Sequence, residues 1–183
     1  MKHNDRGAWL FEGGHTFDAS LAIAIAQVMS DAGVQDVIDI GCGDGTYTRH
    51  LISSGLVAIG YDGNPLTEQM TDGLCLCADF SEPQHLGIYD AALSLEVGEH
   101  IPRQYEQVFL DNLSRHADKL VILSWAIPEQ GGFGHVNERL NAHIILGMSD
   151  RGWKIDWAST NYLRSRASVA WFKQTVMVFT HGN

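Results

Sequence analysis

The stretch VIDIGCGDGTYT, residues 37–48, restricts this chain more than any other. An apolar, β-branched run stops abruptly at three glycines spaced G-x-G-x-G. A run of that kind reads as a buried strand. The segment after it, to Gly55, reads as a helix ended by a glycine C-cap. Strand, glycine turn and helix form the opening unit of a parallel α/β fold. The pattern then recurs. Residues 56–62 and 74–80 read as strands around a short helix at 64–73. Residues 89–97 read as a strand and 101–117 as a helix. Residues 119–127 read as a strand and 136–152 as a helix. In the tail, WKIDWAST (153–160) and WFKQTVMVFT (171–180) read as two strands joined by a polar connection without a long helix. The expectation is an α/β fold: a doubly wound, mostly parallel seven-stranded sheet with one antiparallel strand, Rossmann-like in plan. One domain spans residues 1–183, with a helix at 18–32. Residues 1–16 form an N-terminal arm or lid.

Composition narrows what such a fold could serve. The formal net charge of the 183 residues is -10. An acidic surface disfavours nucleic acid and anionic membrane, whose phosphates need an excess of Lys and Arg. The longest apolar run, LAIAIAQVM at 21–29, is far short of the ~20 residues of a membrane span. No signal-peptide pattern opens the chain. The three cysteines, Cys42, Cys75 and Cys77, are odd in number. They read as reduced thiols of a cytoplasmic protein, with Cys75 and Cys77 packing in a strand. The acidic chain with its short arm is compatible with a homodimer.

Gly41, Gly43 and Gly45 allow a ligand to approach the backbone after the first strand. Asp62 ends the next strand, 23 residues beyond Asp39. An acid there can accept hydrogen bonds from both ribose hydroxyls. A dinucleotide-binding loop would carry its last glycine where this chain has Thr46. A pyrophosphate would also want a helix N-terminus free of Asp44. The loop therefore favours a nucleoside ligand without phosphates over NAD, and an NAD-dependent oxidoreductase is the weaker reading.

At these residues the chain resembles the class I S-adenosylmethionine-dependent methyltransferases. DIGCGDG, YDGN and CADF are similar to their first three motifs, and the resemblance covers about residues 33–127. It implies that Asp39 and the Gly41–Gly45 backbone hold the methionine end of S-adenosylmethionine. It implies Asp62, next to Gly63, for the ribose, and Asp79 with the Phe80 backbone for the adenine.

The stretch SLEVGEHIP, residues 94–102, gathers Glu96, Glu99 and His100 at the end of the fourth strand. If the chain turns helically there, the three share one face. Burying two carboxylates side by side requires a proton or cation to offset the cost. Three readings stay open. His100 is a general base oriented by Glu99 or Glu96; or the cluster binds a divalent metal; or it is only the acidic start of a helix. The E-x-x-E-H pattern resembles that of small-RNA 3'-terminal 2'-O-methyltransferases and of ubiquinone-pathway O-methyltransferases. That resemblance implies a magnesium or manganese ion on Glu96, Glu99, His100 and His135. Glu96 would also border the cofactor.

The function these readings point to is methyl transfer from S-adenosylmethionine to a small molecule, at a hydroxyl and with possible metal assistance. The alternatives are a non-catalytic S-adenosylmethionine-binding module and an N-methyltransferase using His100 as base. The acceptor would meet the arm, residues 94–102 and the loop 125–137. His15 is placed near the site, Trp9 and Phe11 in a lid or at the sheet edge. Trp125 is placed in the core, and Arg164 and Arg166 on a solvated face.

Overall fold

The computed structural model describes residues 3–11 and 13–181. Helix α1 spans Ala19–Asp31 and strand β1 Asp36–Ile40. They are followed by α2 (Thr46–Ser53), β2 (Val57–Asp62), α3 (Thr67–Met70), β3 (Cys75–Cys77) and β4 (Tyr89–Ser94). A 3-10 turn at Arg103–Tyr105 leads into α4 (Glu106–Arg115) and β5 (Ala117–Leu123). The chain closes with α5 (Asn141–Ser149), β6 (Trp153–Ile155), α6 (Trp157–Arg166), α7 (Phe172–Thr175) and β7 (Met177–His181).

The seven strands form one sheet in the order β3-β2-β1-β4-β5-β7-β6. Every pairing is parallel except those of β7, which runs antiparallel to both β5 and β6. Alternate residues of the central strands feed two cores. Ile38, Ile40, Ala92, Val121 and Leu123 face a core completed by Phe109, Leu113, Ile144 and Met148 of α4 and α5. Val37, Ala91, Leu93, Leu120 and Ile122 face one completed by Leu21, Leu51, Leu163 and Phe172 of α1, α2, α6 and α7. Burial on both faces is why these strands read as unbroken apolar runs. Truncating a side chain such as Phe109, 1% exposed, would cost roughly 3–5 kcal/mol.

The tail departs from expectation. The two tail strands do pair antiparallel, but helix α6 and the short α7 lie between them. Asp156 explains the start of α6: its carboxylate accepts from the backbone N–H groups of Ala158 and Ser159. An N-cap there ends the strand after Ile155. Arg164 is not on a solvated face. It is half-buried, and its Nε donates to the Val176 carbonyl at 2.8 Å. Trp125 is fully buried, its indole donating to the Asn137 carbonyl at 2.6 Å. Among the described residues, no helix is long and apolar enough to cross a membrane.

Candidate active site

The strand order reverses between β1 and β4. At that switch the loops leaving the two strands diverge and open a crevice beyond their carboxyl ends. A cavity of ≈ 390 Å³ lies there. The glycine loop after β1, Asp62 and Gly63 after β2, and Asp79 and Phe80 after β3 wall one half. Glu96, His100 and His135 wall the other.

The glycine loop owes its shape to close contacts. Gly43 has φ +57°, and a Cβ on it would lie 2.5 Å from the His15 imidazole. Only glycine lets the arm sit this near. Asp62 is tied in by the same loop: one oxygen accepts from the Gly43 amide at 2.9 Å, the other from the Asn64 amide at 2.8 Å. Asp79 accepts from the Ser81 amide and hydroxyl on one oxygen and from Arg6 at 3.2 Å on the other.

Two expected cofactor residues do not line the cavity. Asp39 lies beneath the loop, 3% exposed, and accepts from the Thr48 hydroxyl at 2.6 Å. Burial pushes its carboxyl up to about 7. It braces β1 against α2. Gly45, with φ +74°, is the left-handed residue that starts α2, and it faces Cys75 and Thr71.

The stretch after β4 does not turn helically. Glu96 has φ +55°, a left-handed conformation that redirects the chain. Its carboxylate accepts from Ser124 Oγ at 2.8 Å and Gln130 Nε2 at 2.7 Å. Glu96 is therefore not part of the compact trio that does form, although its carboxylate neighbours that of Glu99. Glu99, His100 and His135 each offer a ligand atom within 4.8 Å of the others. Glu99 is 0% exposed and neither carboxylate oxygen has a hydrogen-bond partner among the described residues. Burial, then the neighbouring Glu96 charge, holds its pKa well above the ordinary range.

The histidines are oriented from behind. His100 Nδ1 lies 3.2 Å from the Gly134 carbonyl, which accepts the Nδ1 proton and leaves the Nε2 lone pair free. His135 Nδ1 lies 3.1 Å from Glu138, and its Nε2 faces Glu99 Oε1 at 3.9 Å. Burial, followed by the neighbouring His135, depresses His100 to about 4, so it is neutral near pH 7. An orphaned buried carboxylate with two imidazoles, each held by an outer partner, is the donor set a divalent cation uses. Glu138 had no part in the sequence expectation. It lies three residues beyond His135 in an irregular loop, and spacing alone carried no signal.

The arm roofs both halves. Arg6 pairs with Asp79 and Glu82, and its guanidinium lies 5.7 Å from the centre of the Tyr105 ring. Gly7 abuts the His100 carbonyl so closely that a Cβ there has no room. Trp9 stacks on Phe11 and His15 and meets His100 and Phe133 edge-on. Trp9 and His15 therefore line the cavity, as a lid would.

No family model matches the sequence, and no curated protein is significantly similar to it. Solved structures are similar in fold. One is magnesium protoporphyrin IX methyltransferase from Synechocystis with bound S-adenosylhomocysteine, 18% identical over 93% of this chain and 90% of that one, TM-score 0.66. Another is the sugar N-methyltransferase KedS8 from Streptoalloteichus, 12% identical over 100% of both chains, TM-score 0.72. A third is the methyltransferase domain of bacterial CtHen1-C, 20% identical over 88% of this chain and 97% of that one, TM-score 0.64. The chain thus has the Rossmann-like fold of the S-adenosylmethionine-dependent methyltransferases.

Proposed function

We propose that this protein transfers a methyl group from S-adenosylmethionine to a hydroxyl of a small molecule held beside a divalent cation. The observation that carries the reading is the cavity itself. One wall has a glycine loop and a strand-end acid suited to a nucleoside, and the other has two imidazoles with the buried Glu99 carboxylate within 4.8 Å of them. Structures of the same fold with bound S-adenosylmethionine or S-adenosylhomocysteine support the donor. So does the cavity's acidity, since the sulfonium is cationic.

In this reading Asp62 receives the ribose hydroxyls, and Phe80 and the half-exposed edge of Asp79 border the adenine. Glu99, His100 and His135 would hold the cation, which would supply Lewis acidity that lowers the pKa of the acceptor hydroxyl. Glu138 and the Gly134 carbonyl fix the imidazoles. The acceptor oxygen attacks the methyl carbon while the carbon–sulfur bond breaks. The bonding pair stays on sulfur, giving S-adenosylhomocysteine, and the hydroxyl proton leaves to solvent. The chain's own contribution is alignment and exclusion of water, which the Trp9 and Phe133 roof provides. The cavity volume fits a donor with a small acceptor.

Calorimetry tests the donor half. S-adenosylhomocysteine should bind, and NADH should not displace it. NADH binding with no S-adenosylhomocysteine binding would overturn the reading.

A further inference from the structure

The glycine loop has almost nothing left to offer an anion. The Gly41 and Cys42 amides donate to the Tyr61 carbonyl, Gly43 to Asp62, Gly45 to Cys42 and Thr46 to Asp44. Only the Asp44 amide of this loop is not spent in this way among the described residues, and the Asp44 carboxylate stands beside it. The cavity walls add Asp62, Asp79 and Glu96, while their one arginine, Arg6, is engaged by Asp79 and Glu82. A zwitterionic amino-acid tail must still place a carboxylate somewhere in this acidic space.

Two side-chain nitrogens fit that need. His15 Nε2 and Trp171 Nε1 are both buried, both without a hydrogen-bond partner among the described residues, and both belong to residues lining the cavity. A buried donor without a partner calls for an explanation. His15 presses on Gly43 from the arm, and Trp171, at the start of α7, packs against the same core as Tyr47 and Leu95 and lines the cavity with them. They bring two buried ring nitrogens to the same cavity from two distant parts of the chain. A third orphaned donor, Trp9 Nε1, lies near Gly134 on the other side, next to His100.

We infer that His15 and Trp171 donate hydrogen bonds to the α-carboxylate of the donor's methionine tail, the task that Asp39 and the loop backbone were expected to perform. The inference rests on the proposed donor. Trp171 Nε1 is a neutral donor that an acidic cavity tolerates when empty. His15 belongs to the arm, so carboxylate binding would also tie the roof to the donor.

Calorimetry with two ligands tests this. 5'-Methylthioadenosine keeps the nucleoside and thioether but lacks the amino-acid tail of S-adenosylhomocysteine. Trp171→Phe and His15→Phe each remove the ring N–H and keep an aromatic ring. Each should weaken S-adenosylhomocysteine about tenfold and leave methylthioadenosine unchanged. Equal losses for both ligands, or no loss for either, would overturn the inference. Failure of the wild-type protein to bind either ligand would instead overturn the donor reading on which it rests.

Discussion

The two walls of the cavity treat their carboxylates in opposite ways. On the nucleoside wall, both oxygens of Asp62 accept backbone amides, and both oxygens of Asp79 accept from Ser81 or Arg6. Behind the opposite wall, beside His100 and His135, Glu99 is fully buried and neither oxygen has a hydrogen-bond partner among the described residues. The first wall is complete as folded. The second carries an electrostatic cost that only a proton or a cation relieves. A buried acid left in that state is poor architecture and good ligand chemistry, which is why the proposed reaction centres there.

The largest expected effect breaks the second wall alone. Glu99→Gln should reduce divalent-metal affinity more than a hundredfold, since removing even an outer partner of a ligand costs roughly 10–100-fold. Methyl transfer should fall with it, while S-adenosylhomocysteine affinity stays within about twofold. Asp62→Ala should do the reverse. It removes ribose acceptors and the anchor of the Gly43 amide, so S-adenosylhomocysteine should weaken on the order of 10–100-fold by calorimetry, with metal binding retained. A smaller effect is expected at Glu138→Gln, which frees the His135 ring. Metal affinity should drop about tenfold, read by titration with Mn²⁺.

A separate effect, on stability rather than binding, concerns Asp39, beneath the glycine loop. Burial raises its pKa to about 7, while the unfolded chain releases that proton near ~3.9. Between those values the folded state holds a proton that the unfolded state has lost. Stability therefore falls as pH rises through that window, by at most ~1.4 kcal/mol per pH unit, and levels off above it. Asp39→Asn should flatten this slope in urea denaturation compared at pH 5 and pH 7.5.

The contrast also separates what could be read from the sequence. The glycine-loop wall is built from residues at successive strand ends, so a glycine loop and an acid 23 residues beyond Asp39 made its geometry legible. The sheet was legible for the same reason: strands buried on both faces leave unbroken apolar runs. Helix α6 was not, because WASTNYLRSR lacks an apolar stripe and only the Asp156 cap marks its start. The second wall was half legible. Glu99 and His100 announce themselves, and His135 joins them. Glu96 does not, because its left-handed backbone turns it toward Ser124 and Gln130. The roof rests on contacts between residues far apart in sequence, such as Gly7 with His100 and His15 with Gly43. Periodicity carries no trace of these.

The central claim is that the unsatisfied wall awaits a cation. Electron paramagnetic resonance of Mn²⁺ titrated into protein saturated with S-adenosylhomocysteine tests it most directly, in wild type and in Glu99→Gln. The account predicts loss of the free-ion signal at one equivalent per chain in wild type and no loss in the variant. A free-ion signal undiminished in wild type, with S-adenosylhomocysteine shown to be bound, would contradict it.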